Sequence, residues 1–164
     1  MYERDARTSW GTADTAGFIA NKDKDGKYTG GGTLALSGSQ DLETVSHELF
    51  HAYQYEETGD GYSINSEVEA NLFGVGVGME YAFKNNGMRE GIAGRQNAEG
   101  RLFEGASMDI LWADKFDIKS FKTAVDNFKK GSSKNRYGLY NKFPVKPVKA
   151  NEILISKFFP LVNW

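Results

Sequence analysis

Ser46-His47-Glu48-Leu49-Phe50-His51-Ala52 contains both histidines of this 164-residue chain. The segment has helical periodicity, and on a helix residues four apart stand one above the other on the same face. Two imidazoles so placed are able to bind one zinc ion. The glutamate after the first of them is placed to act as general base toward a water on that ion. The spacing predicts a zinc site held by His47 and His51, with Glu48 as the base of a hydrolytic reaction.

A catalytic zinc site takes three protein ligands and keeps a fourth position open. The chain has no cysteine and no third histidine, so the third ligand has to be an oxygen. Downstream, Ser66-Glu67-Val68-Glu69-Ala70-Asn71-Leu72-Phe73 reads as the start of a second helix, with Ser66 and Glu69 at capping-box spacing. Glu67 and Glu69 stand about 200° apart around such a helix, so only one can face the ion. Glu69 shares its face with Leu72, Phe73 and Val77, which are expected to pack inward. Glu67 shares its face with Ala70, Asn71 and Gly74, a weaker apolar stripe. Glu69 is therefore the expected third ligand and Glu67 the next choice. Gly74, Gly76 and Gly78 each cost a helix about 1 kcal/mol relative to alanine. Close approach to the metal helix is the expected compensation, and a break in the helix is the alternative.

Outward from these helices the chain alternates short apolar runs with turn residues. Gly17-Phe18-Ile19-Ala20 reads as a strand, and Asp25-Gly26 as a hairpin turn. Asn21, Asp23, Asp25 and Gly26 also match the first half of a calcium loop, but its twelfth position is Gly32 instead of glutamate, which favours the plain turn. Gly30-Gly31-Gly32 reads as a flexible break, and Thr33-Leu34-Ala35-Leu36 as a strand that could edge a cleft and pair with substrate backbone. The metal helix is expected from a cap at Ser39 or Asp41 to about Glu57, with Leu42, Val45, Leu49, Ala52 and Tyr53 facing the core. Residues 85 to 107 read as a long irregular segment and Met108–Trp112 as a short helix. Asp117–Lys130 reads as an amphipathic helix with Ile118, Phe121, Val125 and Phe128 inward and Gly131 as its stop. Residues 132–147 are loop-like, and the tail from Asn151 to Phe159 fits helix or strand.

Composition supports one globular domain over residues 1–164, since 40 % apolar residues suffice to bury a core. A net charge of −2 provides no field that favours nucleic acid or membrane partners. Without cysteine, disulfides and thiolate metal sites are excluded. No signal-peptide pattern and no long apolar run occurs, which fits a cytoplasmic protein or a domain of a larger exported one. Charge is segregated, however. Residues 41 to 80 hold Asp41, Glu43, Glu48, Glu56, Glu57, Asp60, Glu67, Glu69 and Glu80 and no Lys or Arg, whereas residues 115 to 149 hold ten bases against Asp117 and Asp126. The two segments are expected to face each other or be solvated separately; an acidic cleft with a basic rim is the sharper alternative.

The block from Thr33 to about Tyr81 resembles the zincin metallopeptidases, and within them the glutamate-zincins, on His47-Glu48-Leu49-Phe50-His51-Ala52 and Glu69-Ala70-Asn71-Leu72-Phe73. The Glu-Ala pair opening the second helix is similar to the third-ligand motif of thermolysin-like enzymes. Glu67-Val68-Glu69-Ala70-Asn71-Leu72-Phe73 is similar to small peptidases that cleave repressors, and toxin-like peptidase domains of bacterial effectors have comparable short blocks. The resemblance implies an α+β, zincin-like fold: a small sheet whose edge strand packs on a central helix, and a second helix carrying the third ligand. It implies Zn2+ held by His47, His51 and Glu69, Glu48 as general base, and a peptide or protein substrate. Many such enzymes stabilise the oxyanion with a later histidine or tyrosine. Here Tyr62, Tyr137, Tyr140, Arg95 or Arg101 has to supply that donor, with Tyr137 and Tyr140 the first choices. The alternative expectation is a zincin-like binding or interaction domain without peptidase activity.

Overall fold

The hairpin at Asp25-Gly26 forms in the computed structural model, which describes residues 16–36, 41–85, 98–133, 140 and 142–162. Strand β1 (Ala16–Lys22) pairs antiparallel with β2 (Tyr28–Leu36), Phe18 lying opposite Leu34. Asp23 Oδ1 accepts the N–H groups of Asp25 and Lys27, each at 2.9 Å, and Gly26 takes φ of 79°. The Asp23 carboxylate thus closes the turn, the plainer of the two roles read for it. The three glycines do not break the chain, because β2 runs through them. A Cβ at Gly32 would stand 2.4 Å from the Phe18 ring and 2.6 Å from the Ile19 carbonyl, so this position requires glycine.

Helix α1 (Leu42–Thr58) starts at Asp41, whose carboxylate accepts the Thr44 N–H at 2.6 Å. It stops at Gly59, where φ of 71° lets the N–H return to the Tyr55 carbonyl at 2.8 Å. Helix α2 (Ile64–Lys84) is capped by Ser63 and not by Ser66: the Ser63 hydroxyl accepts the Ser66 N–H at 3.0 Å. Helix α3 (Ala98–Leu111) occupies the described part of the segment expected to be irregular. Its buried Phe103, Ser107, Ile110 and Leu111 follow helical spacing, which the glycine and charge of the surrounding sequence obscure. Asp117 caps helix α4 (Ile118–Ser133), its carboxylate accepting the Ser120 N–H at 2.8 Å. Phe121, Val125 and Phe128 point inward as expected, and the helix continues past Gly131. The tail forms two 3₁₀ turns, Ala150–Glu152 and Leu154–Phe158.

The described elements make an α+β arrangement of a two-stranded antiparallel sheet and four helices. The core gathers Phe50 of α1, Val68 and Leu72 of α2, Phe103 and Ile110 of α3, Phe121 and Val125 of α4, and Ile155 of the tail. No described helix is long and apolar enough to cross a membrane. The expected apolar stripe of α1 faces this core only in part: Tyr53 packs against it, whereas Leu42 is 43 % and Leu49 50 % exposed. The buried residues are Ser46, Phe50, His51, Gln54 and Tyr55. The helix is held from two flanks, by α2 along Ser46, Phe50 and Gln54 and by the hairpin along Glu48 and Tyr55, which leaves Leu42 and Leu49 outside. The acidic and basic segments do meet, through Lys146 Nζ and Asp60 at 2.6 Å, although an exposed pair of this kind contributes little.

The alternate glycines of α2 serve two neighbours. A Cβ at Gly74 would lie 2.5 Å from the Glu43 carbonyl and 3.3 Å from His47 Cβ, and one at Gly78 would lie 2.3 Å from Glu43 Cγ. Gly76, on the other side, approaches Leu161 and Leu111. Helix propensity alone would make Gly74→Ala stabilising by about 1 kcal/mol. The backbone contact makes it destabilising instead, by about 1–3 kcal/mol as for other overpacked sites. Urea unfolding distinguishes the two, and a more stable Gly74→Ala protein would contradict this packing.

Candidate metal centre

His47 and His51 project from the same face of α1, toward α2. Their Nε2 atoms are 3.1 Å apart. The Glu67 carboxylate of α2 completes the group, with one oxygen 3.6 Å from His47 Nε2 and the other 3.5 Å from His51 Nε2. Zinc bonds of about 2.0–2.2 Å in tetrahedral directions put donor atoms roughly 3.3 Å apart. Two imidazole nitrogens and a carboxylate at 3.1 to 3.6 Å therefore fit one small cation in both chemistry and spacing. His47, His51 and Glu67 form a group able to hold a metal ion.

Glu67 occupies the place expected for Glu69. The Glu69 carboxylate faces the opposite way and accepts the Ile155 N–H at 2.9 Å. The expectation rested on an inward and an outward side of α2, but this helix is buried on both. Glu67, Asn71, Gly74 and Gly78 share the side that meets α1, and Glu69 and Gly76 the side that meets the tail. Glycines packed on the metal helix were the usable signal, because Glu67 lies on their stripe. Burial pushes the Glu69 carboxyl up to about 7, against the pull of the Ile155 and Leu154 N–H groups.

Electrostatics at the cluster oppose burial. Burial alone disfavours a charged His51 ring, but Glu67, then Glu48 and the Gln54 bond, outweigh it and push the pKa up to about 9. Burial likewise disfavours a charged Glu67, yet His51 and His47 hold its carboxyl well below the usual carboxylate range. A cation and the His51 proton are thus alternatives at one place, and metal uptake has to displace that proton.

Glu48 reaches the same cluster from the half-buried side. Its Oε1 is 4.0 Å from His47 Nε2, and its Oε2 accepts the Phe18 N–H of β1 at 2.9 Å. The strand bordering the site through its free edge is therefore β1, not the Thr33–Leu36 strand; Phe18 points its N–H away from β2 and onto α1. Tyr28 and the Gly31 N–H both engage Glu56, and the Phe18 and Tyr28 rings pack on Tyr55, so the hairpin is clamped to α1. Sequence reasoning overlooked Phe18 and Gln54. Gln54 lies three residues after His51 on the histidine face, which is the one signal that marks it.

Three of the expected oxyanion donors fall within the described residues. Tyr62 and Tyr140 both pack on Phe143, and Arg101 lies on the exposed side of α3. Tyr137 and Arg95 lie outside the described residues. Comparison with protein-family models, curated proteins and solved structures finds no match to this chain.

The two acids separate by zinc content. Glu67→Ala is expected to abolish near-stoichiometric zinc in the purified protein, and Glu69→Gln, which keeps an acceptor for the Ile155 N–H, to retain it. Elemental analysis reads both, and the reverse order would return the third ligand to Glu69.

Proposed function

We propose that this chain is a zinc-dependent metallopeptidase of the glutamate-zincin type, with His47, His51 and Glu67 as ligands and Glu48 as general base. The observation that carries the reading is the cluster itself: three donors at zinc spacing with a second carboxylate, Glu48, 4.0 Å from His47 Nε2. Zinc, when bound, supplies a Lewis acid that makes water acidic and polarises a scissile carbonyl. Glu48 takes the proton of the attacking water and passes it to the leaving amine. The Phe18 N–H fixes one carboxylate oxygen and leaves the other toward the histidines. His47 and Glu48 are half-buried whereas His51 and Glu67 are buried, so substrate reaches the centre from the His47–Glu48 side.

A second reading, a metal-holding binding domain without peptidase activity, is favoured by one observation. Of the described candidate oxyanion donors, Tyr62 and Tyr140 stack on Phe143 and Arg101 is exposed on α3. Glu48→Gln separates the readings. It is expected to keep zinc and to lower turnover by about 10²–10⁴-fold, the usual worth of a general base. Proteome-wide cleavage profiling of wild type against this variant reads the difference. Peptide cleavage by wild type that Glu48→Gln abolishes supports the peptidase; identical profiles contradict it.

A further inference from the structure

Gln54 is 2 % exposed, and its amide is used at both ends. Its Nε2 donates to the Ser66 carbonyl at 3.0 Å. A carbonyl only accepts, so this bond orients the amide and leaves Oε1 facing His51 Nδ1, at 2.8 Å. Oε1 also only accepts, so Nδ1 carries the proton. An imidazole protonated at Nδ1 offers the lone pair of Nε2, and Nε2 is the atom that meets His47 and Glu67. Ser66 directly precedes Glu67. One buried amide therefore joins a candidate ligand on α1 to the backbone beside the candidate ligand on α2.

We propose that Gln54 is the positioning residue of this metal centre: it holds His51 with Nε2 free for the ion and ties that ring to the first turn of α2. The inference rests on the metal reading above and is independent of any peptidase activity. Partners of this type, bonded to the far nitrogen of a ligating histidine, change metal affinity by about 10–100-fold when removed. A cleft of about 330 Å³ borders Gln54 and is also lined by Ser63, Asn65 and Glu69, so a changed side chain has space to relax.

Two substitutions on the full chain test the role. Gln54→Met keeps length and removes both hydrogen bonds. Gln54→Glu loses the donor toward Ser66 but keeps an acceptor for the His51 Nδ1–H. Zinc affinity is measured by competition with a chelator, and the His51 ring by ¹⁵N NMR of the zinc-loaded protein. Gln54→Met is expected to weaken zinc binding about 10–100-fold and to speed solvent exchange of the Nδ1 proton. Gln54→Glu is expected to recover most of the affinity and the protected proton. Wild-type affinity in Gln54→Met, or an equal loss in both variants, overturns the positioning role. Wild type that binds no zinc overturns the metal reading itself. Should Gln54→Met not fold, Gln54→Ala carries the same expectation.

Discussion

Helices α1 and α2 approach closely where Gly74 meets the Glu43 carbonyl and Gly78 the Glu43 side chain, and the position of the candidate metal ligands depends on that contact. A methyl group at either glycine would collide with Glu43, one turn before His47. Without the approach, a glutamate side chain on α2 could not place its two oxygens within 3.6 Å of both histidine Nε2 atoms. The helix gives up propensity at two positions, Gly74 and Gly78, to achieve this. The closeness is then secured by the Gln54 amide, which crosses from α1 to the α2 backbone at Ser66.

That geometry brings three groups of unfavourable burial together. A buried carboxylate left alone costs several kcal/mol, and burial likewise disfavours a charged His51 ring. Together they satisfy one another: Glu67 stays ionised because the histidines face it, and His51 stays charged because Glu67 does. Glu69 shows the other solution open to an acid on the same helix. Two residues on and half a turn round, it meets backbone N–H groups of the tail, and burial pushes it up to about 7. Two neighbouring glutamates thus differ in chemistry because α2 has a different neighbour on each side.

Much of this was readable from residue order. The His-Glu-x-x-His spacing marks the α1 site face, Asp25-Gly26 marks the hairpin, and Phe121, Val125 and Phe128 mark the inward side of α4. What failed did so where a helix has more than one packed side. Leu42 and Leu49 belong to an apolar stripe whose Tyr53 does reach the core, yet the helix is gripped on its two flanks and these two leucines lie outside. Glu69 shares the more apolar face of α2, yet the candidate ligand Glu67 lies on the glycine side, because small residues and not large ones let helices approach. Helix α3 was hidden because glycine and charge mask its four buried positions. Hydrogen bonds across elements, such as Phe18 to Glu48 and Gln54 to Ser66, leave no periodic trace in sequence.

The hairpin gives the arrangement its asymmetry. It clamps α1 through Glu56 and Tyr55 and presents the Phe18 N–H to Glu48, so this carboxylate is kept beside the cluster without joining it. A group of three donors with a second, separately held carboxylate is the arrangement on which the proposed hydrolysis rests. Anomalous diffraction at the zinc edge from zinc-soaked crystals tests the centre most directly. One strong peak enclosed by His47 Nε2, His51 Nε2 and the Glu67 carboxylate is expected; a peak at Glu69, or none at this place, would contradict it.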